Sequence, residues 1–344
     1  MEKRKTSIKN LLDPAILFFI FGVLAGTVKS NLEIPPQIAR FLSLYLLMAL
    51  GLKGGFALAH SGLNAQVTTG LGCAILLAVI VPLIGYQVLK RFLSGFDALA
   101  IAATYGSVSA VTFVTAIQTL ENQHIAYGGH MAAAMALMES PAIILAVVFA
   151  NALRQRQTES VAAISGSSDV LAMAPLPNRH GVSIGKILHE SFTDGAQLLL
   201  LGAMVVGVIS GDAGKAAMQP FSGDLFKGML AFFLLDMGLV ASRNLPQVRN
   251  MSPWLIAYAI VGPLVHAGIA LTLAVIFSIP PGDAMLLMVL AASASYIAVP
   301  AVLRYAIPEA NPSLYFGLSL GVTFPLNIVF GIPLYMSVAQ QVLG

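Results

Sequence analysis

The sequence predicts an all-α polytopic membrane protein with ten transmembrane helices arranged as two inverted five-helix repeats. Three observations support this fold class. The 344 residues are 58% hydrophobic and only 10% charged, a composition that a soluble globular surface cannot use. The apolar residues form runs long enough to cross a bilayer. The two halves of the chain also match each other in order.

The composition excludes several function classes. Soluble domains carry about 25% charged residues, so a cytosolic enzyme and a nucleic-acid-binding protein are both excluded. The net charge of +3 is typical of loop bias in a membrane protein. The sequence has no Asp-rich magnesium motif, no His-Glu-x-x-His helix and no Gly-Lys-Ser/Thr phosphate loop, which argues against metal-dependent catalysis and ATP hydrolysis. The single cysteine, Cys73, excludes an internal disulfide.

Ten apolar segments are candidates for membrane spans. A bilayer-crossing helix needs about 20 mostly apolar residues. Period-2 alternation is absent from these segments, which favours helices over strands. The predicted spans are residues 15–31, 35–52, 67–91, 98–118, 125–153, 192–210, 223–241, 253–278, 283–304 and 311–342.

A polar segment rich in Ser, Ala and Pro separates the first five spans from the last five. The sequence therefore predicts a first five-span repeat over residues 1–153, a linker over 154–186 and a second, inverted five-span repeat over 187–344.

The two halves match at a nearly constant offset of 186 residues, which places Ser107 on Ser293 and Ser109 on Ser295. Because each half has an odd number of spans, the halves must cross the membrane in opposite directions. Inverted repeats with interrupted helices are typical of secondary transporters. Further matches in the same order are Asp97-Ala98 with Asp283-Ala284, Gly51-Leu52 with Gly238-Leu239, Tyr127 with Tyr315, and Pro141 with Pro325.

The distribution of Lys and Arg predicts the orientation in the membrane. Eleven of the 18 fall on the face that carries the central linker. The positive-inside rule therefore places the linker in the cytoplasm and both termini outside. The seven on the other face are Lys3, Arg4, Lys5, Lys9, Lys53, Lys215 and Lys227.

The fourth and ninth spans both have the sequence of broken helices. Gly106 and Pro300 permit local unwinding, and nearby hydroxyls can replace the lost backbone partners. The half-helix N-termini suit a small anion, and exposed carbonyls suit a sodium ion. Small residues that allow close helix packing are the alternative explanation, but the symmetric Ser-x-Ser pairs favour a binding site. The predicted substrate-binding residues are Gly106, Ser107, Ser109, Ser293, Ser295 and Tyr296.

Glu139 is the one acidic residue deep in the fifth span, and intramembrane carboxylates mark functional sites. We predict that Glu139, Thr112, Thr323 and Asn327 bind the coupling cation, with a structural hydrogen-bond anchor as the alternative role of Glu139. Asp236 in the seventh span is a further intramembrane carboxylate. His130 has no acidic partner at helical spacing, which predicts a core histidine.

Several segments carry a family resemblance. These segments are the stretch from Ala291 to Pro300, the run Ile307-Pro308-Glu309-Ala310-Asn311-Pro312, the run Met138-Glu139-Ser140-Pro141-Ala142, and Gly51-Leu52 with Gly54-Gly55. Together they resemble the sodium-dependent bicarbonate transporter family typified in cyanobacteria, and the similarity runs from the first span to the last.

The resemblance implies crossing broken helices in a core domain that moves like an elevator against a gate domain. It also implies a homotrimer in the inner (plasma) membrane that imports bicarbonate, with sodium as the coupling ion and no other cofactor. The resemblance further implies a soluble PII-like regulator that binds the cytoplasmic face.

The sequence leaves two alternatives to a sodium-coupled bicarbonate transporter. The family pattern has an Asp where this chain has Tyr296, which favours a sodium- or proton-coupled transporter of another small anion, such as a short carboxylate. An ion channel, or a membrane receptor without turnover, is the alternative from a different functional class.

Overall fold

A computed structural model describes residues 13–62, 64–165, 195–249 and 251–344. These residues form helices and connecting turns without any strand, so the prediction of helices is confirmed for this part of the chain. The helices of the first half are α1 (Pro14–Thr27), α2 (Pro36–Ser61), α3 (Ala65–Leu89), α4 (Gly95–Gly106), α5 (Ala110–Asn122) and α6 (His130–Ser165). Those of the second half are α7 (Gly195–Met218), α8 (Phe226–Val248), α9 (Pro253–Ile276), α10 (Pro281–Ala292), α11 (Ala298–Ala306) and α12 (Pro312–Leu343), with π-helical turns at Ser319–Thr323 and Asn327–Gly331 in α12.

Side-chain caps explain where several helices begin. The Asp13 carboxylate accepts a hydrogen bond from the Ala15 N–H at 2.8 Å, and Pro14 occupies the first turn of α1. The Asn64 side chain accepts from the Val67 N–H at 3.0 Å at the start of α3. Such caps satisfy backbone donors that a helix leaves unpaired at its N-terminus.

Seven helical segments among the described residues are long and apolar enough to cross a membrane. One of them covers residues 195–246 and contains both α7 and α8, while α1 and α10 are shorter apolar helices. Large apolar side chains are exposed on the outside, including Ile209 (80% exposed) and Ile276 (65% exposed). Such surfaces suit lipid rather than water, so the chain is a multi-pass membrane protein. The count of ten spans stays a prediction.

Two predicted boundaries differ from the structure. α2 continues beyond residue 52 to Ser61. Lys53 lies within this helix and forms an ion pair with Glu121, with 2.9 Å between Nζ and Oε1. α6 continues beyond residue 153 to Ser165, so the predicted linker begins as a helix. The rest of the linker, residues 166–194, lies outside the described residues.

Glycines join helices from different halves of the chain into pairs. A side chain at Gly22 of α1 would overlap the Leu235 backbone carbonyl on α8, next to Gly238. A side chain at Gly55 of α2 would overlap the Met204 carbonyl on α7. We call α1, α2, α7 and α8 the four-helix group, and α3–α6 with α9–α12 the central group. Small residues allow this close approach of backbones.

The α1–α8 contact predicts a position-specific loss of stability. A side chain at Gly238 would overlap the Phe19 carbonyl, whereas one at Gly228 of the same helix meets no atom within 4 Å. We therefore expect Gly238→Val to lower the free energy of unfolding by about 1–3 kcal/mol through overpacking. Gly228→Val, which makes the same change in helix propensity, is the matched control and should stay within about 0.5 kcal/mol. Thermal unfolding in detergent is the measurement, and equal melting temperatures would contradict the packing assignment.

Candidate functional site

The breaks in the two interrupted helices lie side by side and bond to each other. Ser107–Ser109 separates α4 from α5, and residues 293–297 separate α10 from α11. The Ser109 N–H donates to the Ser293 hydroxyl at 2.9 Å, and the Ser295 N–H donates to the Thr104 carbonyl at 2.8 Å. All four predicted serines are buried, with at most 4% exposure. The structure thus brings both predicted Ser-x-Ser pairs into one place.

Two helix N-termini begin at this junction. Ser109 caps α5, where its hydroxyl accepts from the Thr112 N–H at 3.3 Å and from the Thr112 hydroxyl at 2.9 Å. The Ser295 hydroxyl accepts from the Val299 N–H at 3.3 Å, in the first turn of α11. Helix N-termini carry partial positive charge and favour small anions. The junction therefore has the electrostatics of an anion site.

The C-terminal end of α10 also lies at the junction, and its carbonyls are held by side chains. The Ser293 hydroxyl donates to the Leu290 carbonyl at 2.9 Å. The Asn327 amide donates to the Ala292 carbonyl at 2.8 Å, while the Tyr335 hydroxyl donates to Asn327 Oδ1 at 3.1 Å. The predicted residue Asn327 is therefore a direct part of the junction.

Thr323 lies one turn before Asn327 and links three helices. Its hydroxyl donates to the Ala259 carbonyl of α9 at 2.8 Å and shares a 2.6 Å hydrogen bond with the Tyr105 hydroxyl of α4. Thr323 is fully buried. Its hydroxyl thus fixes the end of α4 near the break.

Glu139 reaches the junction through its backbone rather than through its carboxylate. The Ser107 hydroxyl donates to the Glu139 carbonyl at 3.2 Å. A carboxylate oxygen of Glu139 instead accepts from the Gln197 amide at 2.5 Å, and Gln197 is a buried residue of α7. The Glu139 side chain therefore connects the central group with the four-helix group.

Tyr296 and Gly106 occupy the edges of the two breaks. The Tyr296 ring contacts Phe324 edge-on with centroids 5.4 Å apart. The Tyr296 hydroxyl is buried and has no hydrogen-bond partner among the described residues. Gly106 packs against the Pro82 ring, which any side chain at position 106 would overlap. Gly106 therefore serves close packing, and Tyr296 brings an unpaired polar group to the site.

The two half-helices that leave the junction differ in exposure. Residues 111–120 of α5 are all buried. α11 instead exposes one face, formed by Ala301, Arg304 and Tyr305, and Ile297 just before the helix is 61% exposed. The half-helix α5 is thus enclosed by the protein, whereas α11 reaches the surface of the protein.

Comparison with known families decides the identity of this architecture. Residues 14–340 match the model of the Na+-dependent bicarbonate transporter superfamily. The chain belongs to this superfamily. No curated protein matches the chain. Membership of the superfamily makes the chain a transporter rather than an enzyme and implies bicarbonate and sodium as its substrates.

This superfamily member also carries a symmetric pair of acidic residues that we had predicted only as repeat markers. Asp97 in the first turn of α4 accepts from the Asn311 N–H at 2.8 Å, in the turn before α12. Asp283 in the first turn of α10 accepts from the Gly128 N–H at 2.5 Å, in the turn before α6. Each carboxylate ties an interrupted helix to the equivalent turn of the other half. The 186-residue offset between Asp97 and Asp283 is the sequence signal that could have identified this pair.

The structure confirms His130 as a buried core histidine and adds an acidic neighbour from another helix. His130 Nε2 lies 3.7 Å from Asp283 Oδ2, which also accepts from the Gln66 amide at 3.0 Å. The three residues come from α6, α10 and α3, so helical spacing within one segment could not reveal their proximity.

Polar contacts join the four-helix group to the far end of α5 in this transporter. Lys53 of α2 bonds both carboxylate oxygens of Glu121, at 2.9 and 3.1 Å. Lys227 of α8 donates to Asn122 Oδ1 at 2.9 Å, and the Asn122 amide donates to Asp13 at 2.7 Å. These contacts join the two helix groups at the end of the molecule towards which α5 runs.

The turn beside these contacts adds a further hydrogen bond to Glu121. The Tyr127 hydroxyl donates to Glu121 Oε1 at 3.0 Å. Burial, reinforced by the negative charge of Glu121, raises the pKa of Tyr127 above its usual value. The phenol therefore stays protonated and keeps donating to the carboxylate.

Proposed function

We propose that the chain is a sodium-coupled bicarbonate symporter in which the junction of the two breaks binds the anion. The observation that carries this proposal is the direct pairing of the breaks, with the Ser109 N–H on the Ser293 hydroxyl and two helix N-termini at one point. Bicarbonate has both a donor hydroxyl and acceptor oxygens. The junction offers N–H donors, serine hydroxyls and carbonyl ends together, which fits bicarbonate better than a short carboxylate that only accepts.

The proposed sodium ligands are oxygen atoms at the same junction. Hydroxyl, amide and carbonyl oxygens are hard ligands that suit a hard cation. Thr112 and Asn327 lie directly at the breaks, and Thr323 is one turn away. Glu139 adds negative charge from the neighbouring helix, while its carbonyl holds Ser107. The symport proposal assigns these four residues to the cation.

The proposed mechanism is an elevator movement of the central group against the four-helix group. On this proposal the enclosed half-helix α5, with the Lys53–Glu121 ion pair at its end, lies on the closed side of one end state of alternating access, and the surface-exposed half-helix α11 lies on the open side. α11 leads to the end of the molecule where α6 enters the linker, because Arg154 bonds Glu309 at 2.7 Å there. On this proposal the described state is open towards the linker side.

A sided thiol-labelling experiment tests this conformation. Ala301 on α11 is exposed, and Thr115, at the same repeat offset on α5, is 2% exposed. In a Cys73→Ala background we expect Ala301→Cys to react with a membrane-impermeant thiol reagent from the linker side at least about tenfold faster than Thr115→Cys reacts from either side, because the closed side excludes water. Equal rates for the two cysteines would contradict a one-sided opening.

The remaining family features enter as part of the same proposal. We place residues 1–153 and 187–344 as the two inverted repeats and 154–186 as a cytoplasmic linker, with both termini outside. The proposed setting is the inner membrane, with the protein as a homotrimer and the linker face available to a PII-like regulator.

Transport by the purified protein tests the function. Proteoliposomes with labelled bicarbonate outside should accumulate it when an inward sodium gradient is imposed, and should not when potassium replaces sodium. Accumulation that ignores the sodium gradient would overturn the symport proposal, and a non-saturating flux would indicate a channel. Competition by short carboxylates stronger than that by bicarbonate would favour the alternative substrate, for which the Tyr296 phenol is the supporting observation.

A further inference from the structure

A shallow apolar groove lies on the surface of the central group between α3, α4 and α6. Its lining carries no charged side chain and includes Pro82, Leu83, Tyr86, Leu99, Leu145 and Phe149. The Tyr86 ring stacks on Phe149 with centroids 6.0 Å apart. The neighbouring side chains Ile84, Val88 and Val148 are exposed. The groove therefore opens at an apolar surface that suits lipid.

The position of the groove along α3 places it in one leaflet of the membrane. Pro82 lies eight residues before Lys90, which follows the last residue of α3. At 1.5 Å per residue this is about 12 Å, and half of a hydrocarbon core is about 15 Å. A side chain at Gly95 would overlap Leu153, close to where α6 enters the linker. The groove thus lies at acyl-chain depth in the leaflet on the linker side.

Aromatic and basic side chains mark the level of the lipid headgroups at this end. Phe92, in the turn between α3 and α4, stacks on Trp254 at the start of α9 with centroids 5.7 Å apart. Both rings are exposed, and Trp is enriched where a membrane protein meets the headgroups. The exposed residues Lys90 and Arg91 directly precede Phe92. Their charges therefore lie at headgroup level.

The charge of Lys90 lies next to the groove. Its Nζ is 5.6 Å from the centroid of the Tyr86 ring, which lines the groove. In the described part of the chain, no carboxylate forms an ion pair with Lys90. Two carboxylates at this end have other partners, since Glu309 pairs with Arg154 and Asp97 accepts from the turn before α12. Lys90 can therefore bind an anionic group from outside the chain.

We propose that the groove and Lys90 form a binding site for one anionic phospholipid, with an acyl chain along Pro82 and Tyr86 and the phosphate on Lys90. Basic residues near the membrane surface attract anionic headgroups. The groove gives the chain van der Waals contacts that a smooth helix surface lacks. Pro82 also packs against Gly106 at the first break, so the lipid supports the wall on which that break rests. The site does not rest on the proposed transport function.

Native mass spectrometry of the purified full-length protein with defined lipids tests the headgroup site. We expect phosphatidylglycerol to bind more tightly than phosphatidylcholine with the same acyl chains. Lys90→Gln should weaken phosphatidylglycerol binding about fivefold, and Lys90→Arg should retain it. Lys215→Gln removes an exposed lysine of α7 outside the groove, and this matched control should keep the affinity within about twofold.

A second pair of variants tests the groove. Leu145→Trp should fill it and weaken phosphatidylglycerol binding at least about threefold, because the acyl chain loses its contacts. Val148→Trp on the exposed face of the same helix is the matched control and should leave binding unchanged. Thermal unfolding of each variant in detergent without lipid shows that a loss of binding does not reflect misfolding.

Three results would overturn the lipid site. Equal affinity for the two lipids, or equal effects of Lys90→Gln and Lys215→Gln, would remove the headgroup from Lys90. Displacement of phosphatidylglycerol by inorganic phosphate would assign Lys90 to a free anion. Equal effects of Leu145→Trp and Val148→Trp would remove the acyl chain from the groove. Bicarbonate uptake is measured separately, so the proposed function stands or falls independently of these results.

Discussion

Ser109→Asp should reduce bicarbonate uptake at least about 100-fold, because it places a second negative charge at the anion junction. Two like charges about 5 Å apart at an effective dielectric of about 20 repel by about 3 kcal/mol, which corresponds to about two orders of magnitude. The Ser109 hydroxyl accepts from the Thr112 N–H at the start of α5. Asp is also a good N-cap, so the helix start is retained. The measurement is the initial uptake rate at saturating sodium.

Ser109→Asn is the matched control for this substitution. Asn has nearly the same size as Asp and caps helices equally well, but it is neutral. We expect it to keep a substantial fraction of the uptake, since the Ser109 N–H still donates to Ser293. Equal losses in the two variants would show that packing, rather than charge, determines the effect and would contradict an anion at this junction.

Asn327→Leu should cause a large loss of stability together with a loss of transport. The substitution removes the donor to the Ala292 carbonyl and the acceptor for the Tyr335 hydroxyl, both of which are buried. Each unsatisfied buried group costs about 1–3 kcal/mol, so we expect the free energy of unfolding to fall by about 2–5 kcal/mol. Asn327→Asp, which keeps the acceptor for Tyr335, should show an intermediate loss. Thermal or denaturant unfolding in detergent is the measurement.

Gln341→Leu on the same helix is the control for Asn327. The Gln341 amide donates to the Ser337 hydroxyl at 2.9 Å on the exposed surface. Water replaces such a bond, so the change should stay within about 0.5 kcal/mol. A similar loss of stability in Gln341→Leu and Asn327→Leu would remove Asn327 from the structural role at the end of α10.

The serines of the two breaks could be predicted because the repeat supplies a second, independent copy of the pattern. The shared offset makes a chance occurrence of the two Ser-x-Ser pairs, Ser107 with Ser109 and Ser293 with Ser295, less plausible. The structure brings both pairs together. Gly106 was predicted for the same region, but its contact with Pro82 of α3 shows a packing role that no local pattern contains.

Glu139 shows where a sequence pattern is insufficient. Its depth in an apolar run indicated a functional carboxylate, but the partner of that carboxylate, Gln197, is 58 residues away on a helix of the other group. Asp283 and His130 lie together for the same reason, across α10 and α6. Periodicity reports neighbours within one helix and contains no information on which helices cross.

The sequence by itself determined that the chain lies in lipid, that it is helical and where its helices break. The length of the apolar runs and the positions of proline, glycine and serine control these features within each segment. The sequence also carried the family resemblance that the match over residues 14–340 bears out. Only the tertiary structure decided which breaks bond to each other, which helices the Lys53–Glu121 pair joins, and which side chain binds the Glu139 carboxylate. These contacts depend on how helices far apart in the chain pack. The free energy of that packing depends on the two helix surfaces in contact, so it cannot be read from one segment alone.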